Sequence, residues 1–158
     1  MAHVGARHVK ALNLAVLTAL GLAYLLIGSF SIINWCISLA GANQQLYPNF
    51  IPGDLGFALV ALTVGVSLTV STYYALRGDK VMHLASATCG TWLALGALVI
   101  QVMVVAAAVL DAIAVGEEVS CSIVSENLLR MDVILGCIIL PVSIPYTLML
   151  KKMIRHNK

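Results

Sequence analysis

Residues 81–110 read VMHLASATCGTWLALGALVIQVMVVAAAVL, a stretch without a single Asp, Glu, Lys or Arg. A helix needs about 20 apolar residues to cross the hydrocarbon core of a bilayer, and this stretch is longer than that. Inside lipid the segment must be helical, because only internal hydrogen bonds can satisfy every backbone N–H and C=O group there. The stretch therefore predicts a membrane-spanning helix.

Three further segments have the same apolar character, and charged or turn-forming residues separate them. They are residues 11–33, which we expect to end at Asn34, and residues 55–76 and 133–150. The chain of 158 residues is 61% hydrophobic and only 10% charged, whereas a soluble domain carries roughly 25% charged residues. We therefore predict an all-α fold, an integral membrane four-helix bundle with short loops that forms a single domain over residues 1–158.

The basic residues predict how the bundle is oriented. Two of them precede the first span, two lie in the tight turn at residues 77–80, and four lie in the tail at residues 151–158. Among the basic residues, Arg130 alone falls in the opposite set of loops. Because Lys and Arg accumulate in short cytoplasmic loops, both termini are predicted to be cytoplasmic.

The spans carry no pattern that specifies a chemistry. Proton relays, voltage sensors and ion-coupled carriers are marked by charged residues within the membrane, and none of the four spans has one at its middle. The sequence contains no HExxH, GxSxG, Walker or GxGxxG motif, and its four cysteines form no CxxC pair. We therefore predict no catalytic residue, metal ligand or cofactor, and we expect that the chain is not an enzyme. Its net charge of +2 gives no reason to expect a nucleic-acid partner.

Small and polar residues inside the spans are candidates for helix packing or for lining a path. Helices associate in lipid through close contacts of small residues and through interhelical hydrogen bonds. Gln101 is the most polar residue deep within a span, and we expect it to face Thr63, Ser67 or Tyr24, either as an interhelical clasp or as a substrate contact. Two prolines in the fourth span should kink or loosen that helix. The candidate set is Gln101, Gly90, Ala94, Thr63, Ser67, Pro141 and Pro145.

Two features of the outer loops complete the expectations. Cys36, near the end of the first span, and Cys121, in the last loop, are a possible disulfide pair if the outer compartment is oxidising. Cys137 is a rival partner for Cys121, and two unpaired thiols are an equal alternative. Residues 125–131 are expected to form a short surface helix, because Glu126 and Arg130 stand four residues apart in the favourable order.

These features favour a protein that acts through lateral contacts in the bilayer, as a scaffold, an assembly factor or an accessory subunit of a membrane complex. Its partners would be the lipid bilayer and either another membrane protein or further copies of itself. The alternative is a small-solute channel or carrier formed by an oligomer of the four-helix unit, with Gln101 and the Ser/Thr face of the second span along its path. An enzyme acting on lipid or quinone is a third hypothesis, for which no residue is nominated.

Overall fold

The computed structural model describes residues 2–41, 46–47, 50–115 and 130–156, without the side chains of residues 2–11, 115, 132 and 156. Four α-helices make up nearly all of this part of the chain, which contains no strand: α1 (Ala2–Leu39), α2 (Leu55–Leu76), α3 (Lys80–Val115) and α4 (Met131–His156). Each is long and apolar enough to cross a membrane. The predicted all-α fold is thereby confirmed, with four helices of the length and composition that membrane spans require. The surface helix expected at residues 125–131 falls almost wholly outside the described residues.

Three of the helices extend further than the sequence predicted. The parts of these helices that are long and apolar enough to cross a membrane are Leu12–Leu39, Lys80–Ala114 and Val133–Arg155, whereas we expected the spans to end near residues 33, 110 and 150. Asn34 does not end α1, because its side chain bonds to the loop that follows and leaves the helical backbone continuous. The lysines at 151 and 152 continue α4, since lysine is a good helix former.

The helices are arranged in chain order. α1 packs along α2, α2 along α3 and α3 along α4, while α4 contacts α1 only lightly. We call the end of the bundle that carries the turn at residues 77–80 the turn end, and the opposite end, which carries Asn34 and Asp54, the loop end. Because the four helices alternate in direction, α1 begins and α4 ends at the turn end.

Glycines allow α1 and α2 to pack closely. An added Cβ at Gly21 would lie 3.2 Å from the backbone nitrogen of Thr69, and one at Gly28 would lie 3.0 Å from that of Leu62. Gly65 of α2 faces α1 in return, where an added Cβ would lie 2.8 Å from the nitrogen of Leu25. Close approach of small residues is a major source of helix association in lipid, where hydrophobic exclusion from water does not act.

Apolar side chains from all four helices fill the interior. Leu17 of α1, Leu68 of α2 and Ile139 of α4 are completely buried, and Ala87 and Ala94 place α3 against them. Large apolar residues also cover the outside of the bundle, as expected for surfaces that face lipid. The centre of the bundle is therefore a packed core.

Candidate functional site

The loop end is held together by one buried amide. Asn34 is fully buried in the last part of α1. Its Nδ2 donates to the carbonyl oxygens of Leu46 at 2.8 Å and Ile51 at 3.0 Å, and its Oδ1 accepts from the backbone N–H of Leu46 at 2.7 Å. A single side chain thus forms hydrogen bonds with three backbone groups of the α1–α2 loop. Backbone N–H and C=O groups that are buried require such partners.

Neighbouring contacts extend this arrangement to α2 and α4. The Ser31 hydroxyl donates to the carbonyl oxygens of Pro52 and Asp54, just before α2 begins. Asp54 then caps α2, accepting from the N–H groups of Gly56 at 2.7 Å and Phe57 at 3.2 Å through its Oδ1. The N–H of Met131 donates to the carbonyl of Phe50 at 3.2 Å, so the loop also fixes the start of α4.

A second polar cluster lies at the turn end. Ser71 of α2 is fully buried, and its hydroxyl donates to the backbone carbonyl of His83 at 2.9 Å. The Nδ1 of His83 lies 2.8 Å from that hydroxyl oxygen and 3.0 Å from the carbonyl oxygen of Ser71. The single proton of the Ser71 hydroxyl goes to the carbonyl oxygen of His83. Nδ1 of His83 must therefore carry the proton that it donates to Ser71.

Helices α1 and α4 are joined to this end by their own contacts. The ring of Tyr146 in α4 meets that of His83 edge to face, with centroids 5.6 Å apart. The Thr18 and Thr72 hydroxyl oxygens lie 3.1 Å apart and link α1 to α2. Ser71 is buried and donates its proton to a carbonyl, so the Ser71–His83 pair lacks the geometry of an activated nucleophile. The cluster therefore holds neighbouring helices together at the turn end.

Gln101 lies on the buried side of α3 and is 7% exposed. Its Nε2 is buried and forms no hydrogen bond with the residues that the structure describes. Thr63, which we expected it to face, is exposed, and its hydroxyl bonds to the carbonyl of Leu59 in its own helix. Gly90 lies against Leu68 and Ser67, so Gln101 is about 11 residues, or about 16 Å, further along α3 than the level of Ser67.

Replacing Gln101 with leucine therefore tests the clasp hypothesis directly. We expect Gln101→Leu to leave the free energy of unfolding unchanged or to raise it by about 1 kcal/mol, because the substitution removes a buried donor that has no acceptor. The measurement is reversible unfolding of the purified protein in mixed micelles. A loss of about 2 kcal/mol or more would show that the amide holds helices together.

The other candidate residues fall into separate places. Gly90 and Ala94 are buried where α3 meets the core. Ser67 lies at the margin of a groove that faces outward between α2 and α3. Pro141 is exposed and Pro145 half-buried, and both lie inside a helix that continues to His156. Thr63 and Ser67, four residues apart, share a face of α2. Gln101 is buried on α3 and the two prolines lie on α4, so the structure does not bring the whole set onto one common surface.

Cysteines and acidic groups form no centre in the described part of the chain. Cys36 and Cys137 are exposed free thiols, and Cys121 lies outside the described residues. A search of the described residues finds no group of three or more His, Cys, Asp or Glu side chains that could hold a metal ion.

The most unusual surface belongs to α3. Gly90 lies opposite Leu68 and Ser67, so the level at which α2 begins, Leu55, corresponds to about residue 103 of α3. Residues 103–114, which we call the α3 extension, thus continue about 18 Å beyond α2. Only 11% of the most apolar 18-residue stretch of α3 is buried, against 33–39% of the corresponding stretches of the other three helices.

The α3 extension is exposed around most of its circumference. Within it Ala112 is buried, and three residues are half-buried. The large residues on its open faces include Met103, Leu110 and Ile113, which are 66%, 66% and 59% exposed. At 22 residues, α2 is about 33 Å long and matches a hydrocarbon core of about 30 Å. A bilayer centred on α2 would therefore leave the α3 extension largely beyond that core.

Comparison of the chain with protein-family models, with curated proteins and with solved structures found no match. The interpretation of this surface therefore depends on the physical chemistry of the chain itself.

Proposed function

We propose that this protein is a non-enzymatic multi-pass membrane protein that works by lateral contact with another membrane protein, as an accessory subunit, an assembly factor or a scaffold. Both termini and the turn at residues 77–80 lie in the cytoplasm, and the loop end with the α3 extension lies on the outer side. The excess of basic residues at the turn end supports this orientation.

The proposal is based on the exposed apolar residues of the α3 extension. Lipid can cover apolar side chains only as far as the hydrocarbon core and its interface reach, and apolar patches that face water are typical of protein contact sites. The exposed Met103, Leu110 and Ile113 form such a surface on a helix that the bundle itself leaves open. A second protein with an apolar face at the same height would cover it.

The interior of the bundle supports contact rather than conduction. Completely buried Leu17, Leu68 and Ile139 occupy the centre, and Gln101 lies about 16 Å along the bundle from the level of Ser67, which was expected beside it on a path. A channel formed by an oligomer of this unit would have to be lined by outer faces, and those faces are predominantly apolar. These features favour a protein partner over a solute.

Affinity purification from the native membrane in mild detergent tests the proposal. We expect a different protein to accompany the wild-type chain in constant ratio and to be reduced at least tenfold by the pair Leu110→Gln and Ile113→Gln, because two buried apolar contacts of a few kcal/mol would be lost. The matched control is Leu76→Gln, which alters an equally exposed apolar residue at the turn end and should retain the partner.

Two outcomes would contradict the proposal. One is a companion protein retained equally by wild type, Leu76→Gln and the double variant, which would place the contact elsewhere. The other is a chain purified only with copies of itself that, in proteoliposomes, conducts a solute. Thermal melting of each variant in the same detergent confirms that the bundle remains folded, as expected for exposed positions.

A further inference from the structure

A shallow groove runs between α2 and α3 on the side of the bundle that faces lipid. Its volume is about 360 Å³, and it is lined by Val66, Ser67, Val70, Ala85, Ser86 and Cys89. Most of this lining is apolar, with two serine hydroxyls, and the volume lies within the range of roughly 300–1,000 Å³ that is common for ligand pockets. The groove is open along its side, so an occupant could enter from the bilayer.

The groove leads toward a fixed positive charge. Val66, Val70 and Arg77 are spaced by four and seven residues, which places them on one face of α2. The Arg77 guanidinium lies over the ring of Tyr73, with its central carbon 4.6 Å from the ring centroid. Stacking on an aromatic face holds the guanidinium in place while its in-plane N–H donors stay open to an anion.

The acidic residue beside this arginine has another role. The Oδ1 atom of Asp79 accepts a hydrogen bond from the N–H of Met82 at 3.1 Å. The backbone carbonyl of Asp79 accepts one from the N–H of His83 at 3.1 Å. Asp79 thus caps the first turn of α3. Arg77 is exposed, so it is placed to meet a group in the headgroup layer at the turn end.

We propose that this groove and Arg77 together form a binding site for an anionic glycerophospholipid. One acyl chain lies in the groove against Val66, Val70 and Ala85. The phosphate accepts hydrogen bonds from the N–H groups of Arg77, which lies about 10 Å from Val70 along α2. The apolar lining of the groove and the fixed charge of Arg77 toward the turn end favour an acyl chain with an anionic headgroup over a helix of a second copy.

Native mass spectrometry of the delipidated, full-length protein tests the site. The protein in neutral detergent receives equal amounts of dioleoyl-phosphatidylglycerol and dioleoyl-phosphatidylcholine, and the first lipid adduct is counted. We expect phosphatidylglycerol to be preferred about fivefold, and Arg77→Gln to remove most of that preference. Lys152→Gln, which neutralises an exposed basic residue of the tail, is the matched control and should keep it.

A second variant examines the groove separately. Ala85→Leu fills it at an exposed position and should reduce the adducts of both lipids severalfold, with the melting temperature unchanged. Equal losses in Arg77→Gln and Lys152→Gln would show attraction by general surface charge and overturn the proposal. Adducts that persist in Ala85→Leu would overturn it as well, since the chain would then lie elsewhere.

Discussion

Gly65→Leu is expected to separate α1 from α2 and to remove a large share of the stability of the bundle. An added Cβ at residue 65 would lie 2.7 Å from Cγ of Leu25, 2.8 Å from its backbone nitrogen and 3.0 Å from the carbonyl oxygen of Gly21. Two of these neighbours are backbone atoms, which can move away only if the whole of α1 moves. We expect a loss of about 3 kcal/mol or more, a large share of a typical total of 5–15 kcal/mol.

The measurement is the free energy of unfolding in mixed micelles, with Gly96→Leu as the matched control. Gly96 is also a helical glycine, but nothing lies within 4 Å of a Cβ added there, so the same substitution should cost less than about 0.5 kcal/mol. Similar values for the two variants would contradict the close contact between α1 and α2.

Asn34→Leu has the second largest expected effect. The substitution keeps the size of the side chain but removes three hydrogen bonds to the α1–α2 loop. Ile51 is 8% exposed, so its carbonyl oxygen would be left buried without a hydrogen-bond donor, and an unsatisfied buried group costs about 1–3 kcal/mol. With the other bonds included, we expect a loss of about 3 kcal/mol.

Asn13→Leu is the appropriate control for this variant, because Asn13 lies on the same helix and is exposed. It should leave the free energy of unfolding unchanged within about 0.5 kcal/mol. Limited proteolysis gives an independent readout, since loss of the Asn34 bonds should expose the loop between α1 and α2 to cleavage. If Asn34→Leu and Asn13→Leu behaved alike in both assays, the role assigned to Asn34 would be wrong.

The sequence could predict the four spans because lipid imposes so strong a constraint on composition. A run of apolar residues long enough to cross the core has few alternatives to a helix. The ends of the spans were harder to predict. Asn34 looked like a boundary because it is polar, whereas its side chain is satisfied by a loop at residues 46–51, a contact that depends on tertiary structure.

The polar contacts were mostly missed for the same reason. His83 was not among the candidate residues, yet it bonds to Ser71. Ser71 lies six residues before the turn at residues 77–80 and His83 three residues after it, and residues close to a tight turn between two helices lie at the same end of the bundle. That relation was available from the sequence. The surroundings of Gln101 were not, because they depend on how far α3 is shifted along its neighbours.

The length of α3 was the other useful signal. Thirty residues without a charge, 81–110, exceed by about ten the number needed to cross the core. That excess indicated a helix longer than its neighbours, and the structure has it continue to Val115. Composition alone could not indicate which of its faces are left open, since this depends on where the other three helices pack.

The most direct test of a lateral contact through α3 is photo-crosslinking in the native membrane. A photoreactive amino acid at position 110, within the α3 extension, is compared with the same group at position 76, at the turn end. We predict a crosslinked product with one different protein from position 110 and none of that size from position 76. Products from both positions alike, or products at position 110 that contain only this chain, would contradict the account.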